Sequence, residues 1–150
     1  MIDRPYLTVV ISAGPTDNRR HTIARYGQRR LIDTDEYRTW KFSAHNEIIK
    51  QLPHGWKPLS PTEKQQLPYL VQVFLPSRRV DAANYDKGVR DILKISGVWK
   101  DDRWTMPQFL PARLDPTNPR IVVLLPMNEA TRLSFWPLGK EMEIKTGKTP

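Results

Sequence analysis

Residues 78–102 read RRVDAANYDKGVRDILKISGVWKDD, and the periodicity of this stretch decides how the elements on either side of it are arranged. At about 100° per residue, Tyr85, Val89, Ile92 and Leu93 gather on one side of a helix, its core side. Asn84, Lys87 and Asp91 fall on a neighbouring side as a polar stripe that begins at Asp81. A helix is expected over 82–96, with Gly97 where a C-cap glycine belongs. Asp101 and Asp102 follow at the mouth of the next strand.

Outward from this helix, strands alternate with a second helical pattern. Tyr6–Ser12 is rich in β-branched residues and stops at Gly14-Pro15, as a strand would. A basic stretch over 18–31, holding Arg19, Arg20, His21, Arg25, Arg29 and Arg30 around Gly27, reads as a hairpin or exposed loop. Asp33-Thr34-Asp35 offers helix N-cap chemistry. Beyond it Tyr37, Trp40, Ala44, Ile48 and Leu52 recur at helical spacing until Pro53. Residues 54–68 form a proline-rich connector with a helical turn expected at 61–66. Strands are expected at 69–75, 104–109 and 120–125. The fold class is therefore α+β: one small domain in which a mixed β-sheet carries two main helices. The domain is expected over 1–139, with 140–150 as a flexible tail.

Composition bounds the function. Hydrophobic residues make up 39% and charged residues 27% of 150, within the globular range. The formal net charge of +8 and the pI near 9.9 favour polyanionic partners, because neutralising phosphates releases condensed counterions. The absence of cysteine removes disulfides and thiolate metal sites. The longest apolar runs, 7–11 and 121–125, fall far short of the roughly 20 residues a bilayer requires. With no signal-like start, a cytoplasmic address is the expectation, without membrane association. His21, His45 and His54 show no zinc spacing, and no glycine-rich phosphate loop announces a nucleotide cofactor. Trp40 is read as core. Tyr26, Trp99, Trp104 and Trp136 are either buried or free to stack on unpaired bases.

Each charged residue of the helix also has an ordinary reading. Asp81 is a natural N-cap, and a cap uses only one carboxylate oxygen. Lys87 and Asp91, at i,i+4, suit a solvated ion pair. Asp101-Asp102 suits a turn, and in extended backbone only one of two neighbours faces a given side. Brought together, carboxylates from a helix start and a strand mouth suit magnesium, which takes one or two of them plus water and substrate phosphate. A lysine beside such a cluster suits phosphodiester hydrolysis.

The string Arg78-Arg79-Val80-Asp81-Ala82-Ala83-Asn84, followed by Lys87, Asp91, Gly97 and Asp101-Asp102, resembles the signature of the RusA family of Holliday junction resolvases. That signature has an arginine-rich lead-in, Asp-x-Asp-Asn, a lysine three residues on, an aspartate four further, and a closing Asp-Asp after a glycine turn. The resemblance covers about 25 residues closely. It implies a RusA-like fold and a homodimer that nicks four-way DNA junctions symmetrically with Mg2+, for which Mn2+ can substitute. Asp81, Lys87 and Asp102 would be catalytic, with Asp81, Asp102 and Asp101 as metal ligands and Asn84 and Asp91 in support. Arg19, Arg20, Arg25, Arg29, Arg30, Arg78 and Arg79 would contact DNA phosphates. Ala83 departs from the pattern, standing where the family has its second aspartate. Either Asp101 or Asn84 compensates for the loss, or the chain has kept DNA binding without cleavage. A basic interaction protein with a solvated acidic face is the third reading.

Overall fold

Alternation of apolar residues builds one buried sheet face. Val9, Ile11, Val71, Val73, Ile121 and Val123 are all essentially inaccessible, and the register places Val9 beside Val123 beside Val71, and Ile11 beside Ile121 beside Val73. The structure, a computed structural model, describes residues 5–17, 21–23 and 31–135, with the backbone alone at 21–23, 31 and 32. In chain order the elements are β1 (Tyr6–Ser12), β2 (His21–Ile23), β3 (Leu31–Asp33), α1 (Asp35–Gln51) and β4 (Leu67–Leu75). A 3-10 turn (Ala82–Tyr85), α2 (Asp86–Ile95), β5 (Thr105–Phe109), β6 (Arg113–Leu114), β7 (Arg120–Pro126) and α3 (Glu129–Ser134) follow.

The five-stranded sheet runs β1-β7-β4-β5, with β6 also on β4. It is mixed, as expected: β7 is antiparallel to β1 and β4, whereas β5 and β6 lie parallel to β4. The parallel step from β4 to β5 requires a crossover, and α2 is that crossover. Strands β2 and β3 pair antiparallel as a separate ribbon, in agreement with the hairpin reading of the basic stretch. Among the described residues no helix is long and apolar enough to cross a membrane.

Helix α1 begins where Thr34 accepts a hydrogen bond from the Tyr37 N–H, and it buries Tyr37, Ala44 and Ile48. It also closes the free edge of β1. Gln51 both donates to and accepts from the Val10 backbone at 2.7 Å, and Glu47 accepts from the Ser12 N–H at 2.8 Å and the Ser12 hydroxyl at 2.7 Å. A strand edge covered in this way cannot take up another strand.

Several details differ from expectation. Residues 61–66 form a tight loop, with reciprocal Thr62 and Gln65 backbone hydrogen bonds of 3.1 Å, not a helical turn. Strand β4 starts two residues early, at Leu67. The helix expected at 82–96 opens as a 3-10 turn. Strand β6 and helix α3, the latter capped by Asn128, were not anticipated. Trp99, 1% exposed and packed on Tyr69, is core and cannot stack on bases. Trp104 is half-buried. Tyr26, Trp136 and the tail lie outside the described residues.

Trp40 packs against the core as read, and its neighbour explains Gly14. The Trp40 indole N–H donates to the Ser12 carbonyl at 2.8 Å, laying the ring across the chain just after β1. A Cβ on Gly14 would lie 2.3 Å from the Trp40 ring, so only glycine fits. Gly14→Ala is expected to cost about 1–3 kcal/mol of stability through overpacking, read by urea denaturation. An unchanged midpoint would show that the ring has room to move.

Candidate active site

The crossover helix α2 organises the charged residues, and its two ends are closed differently. At the C-terminus Gly97 adopts φ +73°, a conformation natural to glycine. The Val98 N–H donates to the Leu93 carbonyl at 2.9 Å and the Gly97 N–H to the Lys94 carbonyl at 3.0 Å, which is the Schellman arrangement. At the N-terminus the preceding residue, Tyr85, supplies no side-chain cap. Asp17 does so from far away in sequence. Its two carboxylate oxygens accept from the backbone N–H groups of Lys87 at 3.1 Å and Gly88 at 3.0 Å.

Asp81 caps the 3-10 turn, its Oδ1 accepting from the Ala83 N–H at 3.1 Å. Lys87 stands exposed on the first turn of α2. It makes no ion pair with Asp91 among the described residues; the i,i+4 pair that forms on this helix is Arg90 with Asp86, two bonds of 3.0 Å. Burial works against the Arg90 charge, but the Asp86 pair overrides it and raises the Arg90 pKa. The Tyr69 hydroxyl, buried without a well-formed hydrogen bond, lies in the field of Arg90, and burial pushes its pKa up.

Asp101 and Asp102 make different contacts. The Asp101 Oδ1 accepts from the Arg103 N–H at 2.9 Å, closing a local turn. Asp102 faces α2, with its Oδ1 3.8 Å from the Lys94 Nζ. Arg78 and Arg79 are exposed on the lead-in to Asp81. Arg19, Arg20, Arg25, Arg29 and Arg30 lie outside the described residues. Asn84 and Asp91 are half-buried.

Asp81 precedes α2 and Asp102 follows it, so a ten-residue helix with about 15 Å of rise separates the segments that carry them. Among the described residues no group of three His, Cys, Asp or Glu is placed to hold a metal ion. The trio Asp81, Asp101 and Asp102 is therefore not a preassembled cage. Asp101 points to its own turn, and Ala83 offers no ligand. What remains suits a hard cation in an open shell, in which one or two carboxylates are completed by water and substrate phosphate.

The sequence profile of endodeoxyribonuclease RusA matches residues 13–125. The chain belongs to the RusA family. The match takes in the Asp17 segment, the basic ribbon, both main helices and the whole of 78–102. The RusA family comprises endodeoxyribonucleases that bind branched DNA, resolve Holliday junctions and generally depend on a divalent metal. No individually curated protein matches the chain.

Reading the sequence missed Asp17, the Asp86–Arg90 pair and Lys94. Nothing in the sequence pointed to Asp17, because Asp81 already offered a cap for a helix expected to begin at 82.

The Arg103 N–H holds the Asp101 carboxyl below the usual carboxylate range. A depressed folded-state pKa contributes stability above the unfolded value of about 3.9 and loses it as pH falls through the folded value. Asp101→Ala is therefore expected to melt below the wild type at about pH 7 and to converge with it once the pH has fallen through the depressed folded value. A gap that persists in acid would show that the turn does not depend on the charge.

Proposed function

We propose that this RusA-family chain is a structure-selective endonuclease that binds four-way or related branched DNA as a homodimer and nicks it in pairs with Mg2+. The observation that carries the reading is the presentation of Lys87 on the first turn of a helix fixed at both ends, with Asp81 just before that turn. Asp17 already occupies N–H groups of that first turn, so the positive charge offered to phosphate there is that of the exposed Lys87. Arg78 and Arg79 extend this positive lead-in along the DNA backbone. The basic segment Arg19, Arg20, Arg25, Arg29 and Arg30 adds sequence-independent contacts that position a junction. A two-fold symmetric protein matches a four-way junction, which presents two equivalent strands.

Asp81 is the proposed carboxylate ligand beside Lys87, and Asp102 is a second one at the other end of α2, too far along the helix to share its ion within one protomer; Asp101, Asn84 and Asp91 are in support. The cation would supply water activation and charge neutralisation at the scissile phosphate. Lys87 holds a proton at Nζ and faces the charge that builds on the phosphate oxygens. Mn2+ is expected to replace Mg2+.

A second reading is favoured by Ala83 and by the lack of a three-ligand group among the described residues. In it the chain binds branched DNA without cutting. A synthetic four-way junction with Mg2+ separates the two. Metal-dependent paired nicks are expected, falling by at least about 100-fold in Asp102→Asn and in Lys87→Ala. Tight junction binding without nicks, together with nicking gained in Ala83→Asp, would establish the silent binder instead. Equal affinity for junction and linear duplex would remove both readings.

A further inference from the structure

We infer that Asp17 is a positioning residue for Lys87: it sets the first turn of α2 from outside the helix and ties that turn to the segment that leads into the basic ribbon. The inference rests on the role proposed for Lys87. Three observations support it. The first-turn N–H groups of a helix have no partner within the helix, and the local cap position, Tyr85, provides none. Both oxygens of one Asp17 carboxylate fill this gap, one on Lys87 and one on Gly88, across 70 and 71 residues of sequence. Asp17 itself stands on a braced segment. Gly14 lies flat against the Trp40 ring, and the Trp40 N–H holds the Ser12 carbonyl.

The same ring reaches α2. A Cβ at Gly88 would meet the Asp17 Oδ1 at 3.6 Å and the Trp40 ring at 3.7 Å, which are ordinary contacts, so the segment, the ring and the first turn of α2 are already packed together. The chain leaving Asp17 enters the stretch that carries Arg19, Arg20, Arg25, Arg29 and Arg30. One carboxylate thus links the root of the basic segment to the backbone N–H of the lysine proposed to act on phosphate. Positioning of this kind acts on the rate of the chemical step, because a shift of about 1 Å in a reacting group can cost on the order of 100-fold.

The test is a double-mutant cycle on full-length protein, combining Asp17→Ala and Lys87→Ala and reading single-turnover nicking, junction Kd and Tm. Asp17→Ala is expected to slow nicking about tenfold with Kd within about threefold, and to cost less than about twofold in the Lys87→Ala background. Asp17→Asn keeps one acceptor oxygen and should recover most of the rate. Equal losses in both backgrounds, or losses confined to Tm, would overturn the inference. If the wild type binds junctions without nicking them, the nuclease reading fails on its own and the cycle is read on Kd. In either case amide exchange at Lys87 and Gly88 should accelerate in Asp17→Ala, and unchanged protection would overturn the cap itself.

Discussion

Helix α2 is held at both ends by hydrogen bonds to groups outside it, and the placement of the charged residues follows from that. Ten residues are too few for a stable helix in water, so the element depends on its surroundings. Val89, Ile92 and Leu93 bury one face in the sheet core. Asp17 closes the N-terminus, and the glycine turn at Gly97 closes the C-terminus. A helix anchored in this way cannot slip by one residue without breaking both sets of bonds and turning its apolar face outward. Lys87 in the first turn and Lys94 in the last therefore have fixed heights above the sheet, and the loops carrying Asp81 and Asp102 hang from defined points.

The electrostatics of 78–102 are less acidic than its aspartates suggest. Asp86 is neutralised by Arg90, Asp102 is approached by Lys94, and Asp101 is held by Arg103. These pairs are about a third exposed or more, so solvent screening leaves them little weight in stability. Their larger effect is on the field. Paired carboxylates repel an incoming phosphate little, whereas Arg78, Arg79 and Lys87 are exposed and form no ion pair among the described residues. A polyanion approaching the helix start meets these three cations, whereas the Asp17 carboxylate on the first-turn N–H groups offsets the helix dipole there.

Local rules carried most of the fold. The β-branched run at β1, the Thr34 cap, the apolar spacing of α1 and the glycine after α2 were all legible because each depends on residues a few positions apart. The mixed sheet followed from element order. What escaped depended on distance in sequence. Asp17 caps a helix some seventy residues away, and no local pattern marks such a bond. Gln51 and Glu47 carry no local mark of their role, yet they satisfy the edge of β1. In the site, the turn character of Asp101-Asp102 could be read from the sequence. Their separation from Asp81 could not, because it depends on α2 lying between them as the crossover.

Ala83 changes how the start of this site is held together. Two carboxylates at 81 and 83 would share one short turn, and their repulsion would raise a pKa or demand a cation. With alanine there, the turn is held by the bond from the Ala83 N–H to Asp81 and needs no ion. The same change removes a unit of negative charge from the surroundings of any divalent cation. A cation bound at Asp81 then draws more of its ligands and compensating charge from the DNA phosphate. Under the proposed function, metal and junction become mutually dependent ligands. Linkage then requires each to raise the affinity for the other by the same factor, so loss of the aspartate shifts metal binding from the free protein to the complex with DNA.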